Sequence, residues 1–480
     1  MMHTESGNNY HSVTDDAASK LKDICGEENV IYKDAAKLKR YSRDQVAEKK
    51  YSHPPEIVVM PGSPEEIRQI MKMANRERIP VTPRGAGSGL SGGAVPLYGG
   101  IVLSVKRMNK ICEIDPDNMM TVVEPGVVTN QLDQRLEEYG LFFAGYPMSD
   151  EFCFIGGNVA ENAGGGRAVK YGVTGRYITG LEMVTPTGEL VQLGGKRVKD
   201  VTGYDLVKLM IGSEGTLGVF TKIWIKLLPR PTVRHTLAVL FPDPRTAVST
   251  VPLIMRRGGF MPTSVEFIDR LCLHRTCAFL RETLPIENSG AMMLFEADGS
   301  NPEYVSANAA TIRRICEENG AQKVYSASTP EESARFWKIR KSITWAMKKY
   351  SPHQSLEDVV VPMSSIPDVI PELERIGEEF DMEIPCYGHA GDGNLHATPV
   401  KNPDISMEQW EETLPKVLKE LYRITAALGG TISGEHGIGH KRKPYLPIVM
   451  SGVQLNMMRQ IKKALDPHNI MNPGKIFDAF

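Results

Sequence analysis

A chain of 480 residues is too long for a single hydrophobic core, so two or three domains are expected. The apolar fraction of 41% and the charged fraction of 24% are those of ordinary globular proteins, which excludes a disordered or fibrous chain. With 56 Lys and Arg against 58 Asp and Glu, the formal charge is -2, and no overall excess of positive charge marks the chain for nucleic acid or anionic lipid.

The N-terminal sequence lacks the basic-then-apolar pattern of a signal peptide, and no run of about 18 apolar residues could span a bilayer. We therefore expect a cytoplasmic protein without an integral membrane segment. Residues 1–52 are polar with helix-like stretches at 17–25 and 34–41, which indicates a helical lead-in. The seven cysteines form no CxxC pair, so we expect no zinc or iron–sulfur cluster held by cysteines.

Residues 53–232 alternate short strands with short helices. Ser63 to Glu66 form a capping box with proline at the first helical position, which predicts a helix from 63 to about 78. The predicted strands are 57–60, 79–82, 100–105, 121–124, 181–185, 190–193 and 218–227, and a second helix covers 130–139. This pattern predicts an α+β domain.

Residues 233–430 have longer helices between their β-like segments. The β-like segments are 236–241, 261–267, 291–297 and 355–361, and the helices are 302–319, 330–350 and 407–428. We predict a second α+β domain with an antiparallel sheet, followed by a C-terminal segment, 431–480, that returns to the first domain.

A glycine-dense loop, residues 83–93, follows the second predicted strand. Glycine leaves room for a ligand to approach the backbone, whose N–H groups suit a diphosphate. Gly87, Gly89 and Gly92 also satisfy G-x-G-x-x-G, but Pro96 and a strand follow where the dinucleotide fingerprint requires a helix. The sequence therefore excludes a Rossmann site, and a loop without a ligand stays open as the alternative.

Two histidines flank a turn sequence near residue 391. His389 and His396 surround Gly-Asp-Gly-Asn, which predicts a hairpin that brings them together. Converging imidazoles suit a divalent transition metal, whereas hydrogen-bonded histidines in a polar turn are the alternative.

A second ionisable cluster lies at residues 433–440, where Glu435 and His436 stand among three glycines. Glycine removes shielding side chains, which indicates that another group comes close. Glu435 could complete a metal site of two histidines and one carboxylate, with His436 as a base. A glycine-rich helix start is the alternative.

Four further segments follow the 83–93 loop in order, at 155–166, 171–175, 209–219 and 472–475. Together with that loop they resemble the FAD-linked oxidases of the vanillyl-alcohol-oxidase type, in the branch of glycolate oxidase flavin subunits and D-lactate dehydrogenases. The resemblance runs from about Pro55 to the C-terminus. It implies an α+β fold with a two-part PCMH-type FAD-binding domain (53–232), an α/β substrate cap domain with an antiparallel sheet and the metal hairpin (233–430), and a segment (431–480) that completes the active site and the FAD domain.

The resemblance also implies which residues bind FAD. They are Pro83, Arg84, Gly85, Ala86, Gly87, Ser88, Gly89, Gly157, Asn158, Ala160, Asn162, Gly164, Thr174, Glu214, Gly215, Val219 and Asn472. Relatives that attach the flavin covalently commonly use a histidine near the loop or a cysteine elsewhere. The 83–93 loop contains neither, so we expect non-covalent FAD, with Cys153 as the one residue that leaves the question open.

The histidine and glutamate motifs resemble those of the hydroxy-acid branch of this family. The resemblance assigns His389, His396 and Glu435 to a divalent metal (Zn, Fe or Mn) and His436 to proton abstraction. Arg340 and Thr344 resemble residues of a substrate-binding helix in that branch, and an arginine can hold a carboxylate with two parallel hydrogen bonds. The alternative is an exposed helix face, because Lys338 and Lys341 are near.

These features predict oxidation of a small 2-hydroxy acid, D-lactate or glycolate, with electrons passed to a partner protein. That partner would be an electron-transferring flavoprotein, or iron–sulfur and flavin subunits. Strand 355–361 lacks the lysine of the hydroxyglutarate dehydrogenases, which favours a small monocarboxylate. A D-2-hydroxyglutarate-type dehydrogenase and a non-catalytic, electron-relaying FAD subunit of a glycolate oxidase-like complex are the alternatives; the metal motif argues against an ether-lipid synthase.

Overall fold

The structure is a computed structural model that describes residues 10–46 and 48–478. The chain forms two compact units: unit 1 is Met1–Gly164, Val173–Arg230 and Glu435–Phe480, and unit 2 is Gly165–Gly172 and Pro231–Gly434. Part of the predicted helical lead-in, residues 1–9 and 47, lies outside the described residues.

The first half of the chain contains short elements. In chain order they are α1 (Asp15–Cys25), β1 (Val30–Tyr32), α2 (Ala35–Leu38), β2 (Ile57–Val59), α3 (Pro64–Glu77), β3 (Val81–Arg84), β4 (Ile101–Ser104), β5 (Ile111–Asp115), β6 (Met120–Val123), α4 (Thr129–Glu137), β7 (Leu141–Phe142), α5 (Ile155–Glu161), α6 (Ala168–Tyr171), β8 (Ile178–Val184), β9 (Leu190–Gly194), α7 (Leu206–Met210), β10 (Val219–Lys226) and β11 (Leu228–Pro229). The helix α6 belongs to unit 2.

The second half has longer elements. They are β12 (Val233–Phe241), α8 (Pro244–Arg257), β13 (Ser264–Asp269), α9 (Arg270–Leu280), β14 (Ala291–Gly299), α10 (Pro302–Glu318), β15 (Lys323–Ser326), α11 (Pro330–Tyr350), β16 (Val359–Val360), α12 (Ile366–Glu379), β17 (Cys386–His389), β18 (Asn394–Ala397), α13 (Met407–Ala427) and α14 (Gly452–Leu465). The helix α14 belongs to unit 1.

Unit 1 is built on two main sheets. One has the order β1-β2-β4-β3, with β2, β4 and β3 parallel; the other is antiparallel, in the order β5-β6-β10-β8-β9. The predicted capping box starts α3, since Ser63 Oγ accepts from the Glu66 N–H at 3.3 Å. The apolar face of α3 then packs on the first sheet in a core that includes Ile57, Val81 and Ile101. The loop after β3 leads to the parallel strand β4, not to a helix.

One predicted strand is displaced. The sequence predicts a strand over 79–82, but β3 begins at Val81. Arg78 ends α3 in a left-handed conformation, and the Ile79 N–H donates to the Ala74 carbonyl. Residues 79 and 80 therefore close the helix before the strand can begin.

Unit 2 contains a seven-stranded antiparallel sheet in the order β15-β12-β14-β13-β17-β18-β16. One of its faces packs against α9 and α11 through apolar residues such as Leu294, Phe336 and Ile343. The predicted α+β class and the antiparallel sheet of the second part are confirmed. Only Val359–Val360 of the predicted strand 355–361 forms a regular strand.

Candidate active site

The predicted hairpin is present in unit 2 as β17 and β18. Tyr387 pairs with His396 across the two strands, and His389 pairs with Asn394. Because alternate residues of a strand share a face, all four side chains lie on the same side of the sheet. The ring centres of His389 and His396 are 5.4 Å apart, and the two rings are nearly perpendicular. Both histidines are buried.

A buried glutamate adjoins His389 on the neighbouring strand. Glu266 of β13 is the register partner of His389, and its Oε1 lies 2.6 Å from His389 Nδ1. An ionised carboxylate can only accept, so Nδ1 carries the proton and Nε2 remains as the nitrogen that can bind a metal. Burial raises the pKa of the Glu266 carboxyl, but Arg340 and His389 outweigh burial and hold this pKa at about 2.

Arg340 approaches the same carboxylate from α11. Its Nε donates to Glu266 Oε2 at 2.5 Å, and its guanidinium lies 4.9 Å from the centre of the Tyr387 ring. Arg340 Nη2 is buried and has no hydrogen-bond partner among the described residues. Arg340 is 5% exposed, whereas Lys338 and Lys341 are exposed, so an exposed helix face does not describe this arginine.

Thr344 lies one turn further along α11. Its Oγ1 is 3.2 Å from the Tyr387 hydroxyl. The structure therefore brings four of the predicted site residues, Arg340, Thr344, His389 and His396, around Tyr387 in unit 2.

A second buried carboxylate, Asp358, adjoins His396. Asp358 Oδ1 accepts from Asn394 Nδ2 at 2.7 Å and lies 3.8 Å from His396 Nδ1. Its Oδ2 accepts from Ser433 Oγ at 2.8 Å and from the Gly434 N–H at 3.0 Å. Asp358 thus fixes the segment immediately before Glu435. Sequence reasoning missed both Asp358 and Glu266; the only signal was an acidic residue inside an otherwise apolar strand.

In unit 1, the glycine-rich segments meet around Glu214. The Glu214 N–H donates to the Ala160 carbonyl, and the Glu214 carboxylate accepts from the N–H groups of Ile438 and Gly439 at 2.8 and 2.6 Å. Asn472 Nδ2 donates to the carbonyls of Glu214 and Gly93. Hydrogen bonds therefore hold together residues 83–93, 155–164, 209–219, 435–440 and 472–475 of unit 1.

Several predicted FAD residues contact the protein itself through their side chains. Asn158 Nδ2 donates to Thr129 Oγ1, Asn162 Oδ1 accepts from the Gly175 N–H, and Thr174 Oγ1 donates to the Gly145 carbonyl. These side chains position the loops. A ligand would meet the backbone of glycines: a methyl group placed on Gly157 would touch nothing, and Gly85 approaches the backbone of Gly157.

This arrangement fits the diphosphate of a dinucleotide cofactor. The glycine backbone is accessible at Gly157, where a methyl group would touch nothing, and at Gly89, where it would meet only Asp44 Oδ2 at 3.9 Å, so N–H groups there could reach phosphate oxygens. Ser91 Oγ and Asn472 Oδ1 are also buried without hydrogen-bond partners among the described residues. The remaining predicted residues, Pro83, Arg84, Ala86, Ser88, Gly164, Gly215 and Val219, lie in the same segments of unit 1.

Glu435 and His436 belong to unit 1, half-buried, with His436 Nε2 3.7 Å from Glu435 Oε1. Their segment is irregular, so the alternative of a helix start is wrong. At Gly437 the groups that come close are two acids, because a methyl group there would overlap the half-buried Glu161 and approach the buried Glu214. Burial, with the Glu214 carboxyl as the next cause, raises the pKa of Glu161 well above its usual range.

Cys153 is 3% exposed, and its Sγ lies 3.2 Å from Thr129 Oγ1. Burial raises the pKa of this thiol, which disfavours the nucleophilic thiolate.

The chain matches two family profiles and aligns with characterised proteins over nearly its full length. The profiles are "FAD binding domain" over residues 55–194 and "FAD linked oxidases, C-terminal domain" over residues 230–476. The glycolate oxidase subunit GlcD of Bacillus subtilis is 38% identical and aligned over 97% of both chains. A D-lactate dehydrogenase of Anaerostipes hadrus is 35% identical, over 97% of this chain and 98% of the other.

Among solved structures, p-cresol methylhydroxylase with bound substrate superposes with a TM-score of 0.78. The alignment covers 96% of each chain at 18% identity, which supports the same PCMH-type fold. Among residues 10–46 and 48–478, no helix has both the length and the apolar character needed to cross a bilayer.

Proposed function

This chain belongs to the family of FAD-linked oxidases. From that premise we propose that it oxidises either D-lactate, which is a small D-2-hydroxy acid, or glycolate to the corresponding 2-oxo acid. Its membership of the group that contains glycolate oxidase subunits, D-lactate dehydrogenases and D-2-hydroxyglutarate dehydrogenases fixes the reaction class as FAD-linked oxidoreduction. The identities of the substrate and of the electron acceptor are what we propose here.

One observation carries the proposal of a carboxylate substrate: the buried Nη2 of Arg340 has no hydrogen-bond partner among the described residues. A buried, unsatisfied guanidinium nitrogen is costly, and a substrate carboxylate would satisfy it with a charge-assisted hydrogen bond. Thr344 and the Tyr387 hydroxyl lie beside it and could orient the rest of a small acid.

Two imidazoles that contact Glu266 and Tyr387, the neighbours of this arginine, support a metal-assisted reaction. His389 offers Nε2 because Glu266 occupies its Nδ1, and His396 faces it from the next strand. We propose His389, His396 and Glu435 as ligands of a divalent Zn, Fe or Mn ion; the third assignment rests on the sequence motif. When bound, the metal would polarise the substrate hydroxyl and FAD would accept the α-hydride.

The residues of the chain then have distinct tasks. Arg340 holds the carboxylate and so orients the Cα–H bond of the substrate. His436, assigned from the sequence motif, takes the hydroxyl proton and must be neutral to do so. Asp358, on the His396 side of the site, keeps the segment before Glu435 and His436 in place through Ser433 and Gly434.

Negative charge beside His396 favours a small monocarboxylate. Asp358 is buried with its Oδ1 3.8 Å from His396 Nδ1, and residues 355–361 contain no lysine. A buried carboxylate without a lysine in the same segment makes a hydroxyglutarate-sized acid, whose second carboxylate would need a cation, unfavourable.

We further propose non-covalent FAD, a cytoplasmic location and an electron-accepting partner, either an electron-transferring flavoprotein or iron–sulfur and flavin subunits. The buried, hydrogen-bonded Cys153 supports non-covalent binding. The seven cysteines form no disulfide and no CxxC pair, which supports an external acceptor.

The test is anaerobic bleaching of the flavin absorbance in metal-loaded protein, titrated with D-lactate, L-lactate, glycolate and D-2-hydroxyglutarate. We expect rapid bleaching by D-lactate or glycolate, loss of bleaching after chelation, and recovery when metal is restored. His436→Asn should keep FAD and lose most turnover, with the exposed His468→Asn as the matched control.

Other outcomes would redirect the assignment. Preferential bleaching by D-2-hydroxyglutarate would identify that acid as the substrate in place of D-lactate or glycolate. No bleaching by any acid, with FAD and metal bound, would indicate an electron-relaying subunit. Wild-type turnover in His436→Asn would refute the proposed base.

A further inference from the structure

Glu266 in unit 2 is hydrogen-bonded both to a proposed metal ligand, His389, and to the proposed carboxylate-binding arginine, Arg340. Its two oxygens have different partners: Oε1 contacts His389 Nδ1 at 2.6 Å, and Oε2 contacts Arg340 Nε at 2.5 Å. We propose that Glu266 is a positioning residue that aims His389 Nε2 at the metal and the outer nitrogens of Arg340 at the substrate. This inference rests on the proposed function and extends it.

The two hydrogen bonds of Glu266 leave Nε2 of His389 for the metal and the Nη atoms of Arg340 for the substrate. A hydrogen bond at Nδ1 fixes the ring orientation of His389 and leaves Nε2 as its only ligating nitrogen. A hydrogen bond at Nε uses the inner edge of the guanidinium and leaves the Nη atoms of Arg340 for a ligand, including the buried, unpartnered Nη2.

Burial of Glu266 is difficult to explain by stability alone. Its side chain is 0% exposed, between Val265 and Phe267, which are also buried. A buried ion pair is often no more stable than apolar residues of the same volume, so the charge is weak evidence for a purely structural role. Its position in register with His389 instead makes the carboxylate part of the histidine site.

Glu296 provides a matched comparison on the adjacent strand β14. It is also buried, at 3% exposure, and it also holds α11, because Trp337 Nε1 donates to its Oε2 at 3.2 Å. Its other close charged group is Arg167, at 3.8 Å. Substitution of Glu296 therefore tests the cost of removing a buried carboxylate that supports α11 without a contact to His389 or Arg340.

Glu266→Gln is the informative change because one amide offers only one acceptor oxygen. It can accept from His389 or from Arg340 but not from both, and its NH₂ group meets a donor on the other side. We expect Zn²⁺ affinity to fall about 10- to 100-fold. As the Zn²⁺ affinity falls, the KM for the hydroxy acid should rise, whereas the FAD content should stay unchanged.

The experiment compares wild type, Glu266→Gln and Glu296→Gln as FAD-loaded proteins. Zn²⁺ affinity is measured by competition with a chromophoric chelator. Binding of pyruvate, the proposed product, is measured by perturbation of the flavin spectrum without turnover. Loss of both affinities in Glu266→Gln alone supports the inference, and equal affinities in the two variants overturn it. Glu266→Asp, too short to reach both partners, replaces Glu266→Gln if that variant does not fold.

A second readout separates this inference from the proposed function. In metal-free protein with ¹⁵N-labelled histidine, the Nδ1 proton of His389 should be protected from exchange in wild type and Glu296→Gln and unprotected in Glu266→Gln. Wild-type protein that binds no Zn²⁺ and oxidises no acid would refute the proposed function, while this proton still decides the role of Glu266. Protection that survives in Glu266→Gln would overturn the inference.

Discussion

Arg340 combines interactions that a lysine at the same position could not make. Its Nε donates to Glu266, its guanidinium carbon lies over the Tyr387 ring, and its Nη2 is left for a ligand. A guanidinium has separate donor nitrogens for the supporting Glu266 carboxylate and for the ligand, whereas an ammonium is a point charge on a flexible stem. The identity of the residue, and not only its charge, therefore matters for the proposed carboxylate site.

We predict that Arg340→Lys raises the KM for the hydroxy acid by about 10- to 100-fold, the range expected for one lost charge-assisted hydrogen bond. Steady-state kinetics with a dye acceptor would measure it. Arg335→Lys is the control, since Arg335 lies on the same helix but forms a surface ion pair with Glu282. Equal KM values for the two variants would contradict a substrate contact of Arg340.

At the scale of elements, the hairpin of β17 and β18 depends on its turn. Gly393 has φ of +86°, and a methyl group there would overlap the Val361 carbonyl oxygen. The Val361 N–H in turn donates to the Gly393 carbonyl. The turn thus joins the hairpin to the segment that carries Asp358.

Gly393→Ala is expected to lower the free energy of unfolding by about 3 kcal/mol or more, because unfavourable φ adds to backbone overlap. Gly259→Ala is the matched control: Gly259 has φ of +73°, but a methyl group there touches nothing. That control should cost only about 1 kcal/mol. Urea unfolding would compare them, and equal losses would show that the contact with Val361 is unimportant.

At the scale of the whole molecule, unit 1 is held by buried polar groups that join distant segments. Lys475 Nζ donates to the Val95 carbonyl at 2.7 Å, and burial lowers the pKa of Lys475 to about 7. His440 packs edge-on against Tyr51, and its Nδ1 is buried without a partner among the described residues. Burial, followed by Lys443 and Lys475, lowers the pKa of His440 to about 4.

The lowered pKa of His440 predicts that unit 1 becomes less stable at acidic pH. Its pKa falls from an ordinary 6.5 to about 4 on folding, so between these pH values the unfolded chain binds a proton that the folded protein does not. The free energy of unfolding therefore decreases as pH falls through this window. His440→Gln should show a smaller decrease than wild type in urea unfolding at pH 7 and pH 5. Identical decreases would contradict a neutral, buried His440.

The accuracy of the sequence predictions varied with the kind of element. The predicted helices 302–319 and 330–350 match α10 and α11 closely, because a cap residue followed by proline starts each helix. The helices α8 and α12 were not predicted, and each contains an internal proline, Pro252 or Pro371. An internal proline does not by itself account for this, because α13 was predicted although it contains Pro415.

The sequence by itself determined the family, the glycine-rich segments and the hairpin that brings His389 close to His396, because glycine patterns and turn residues act over a few neighbouring positions. Only the tertiary structure revealed Glu266, which lies 74 residues from Arg340 and 123 from His389 along the chain. Strand register decides which side chain faces which, and packing of α11 on the sheet decides which arginine is buried. Neither is encoded in the residues immediately around Glu266, since both depend on contacts between distant segments.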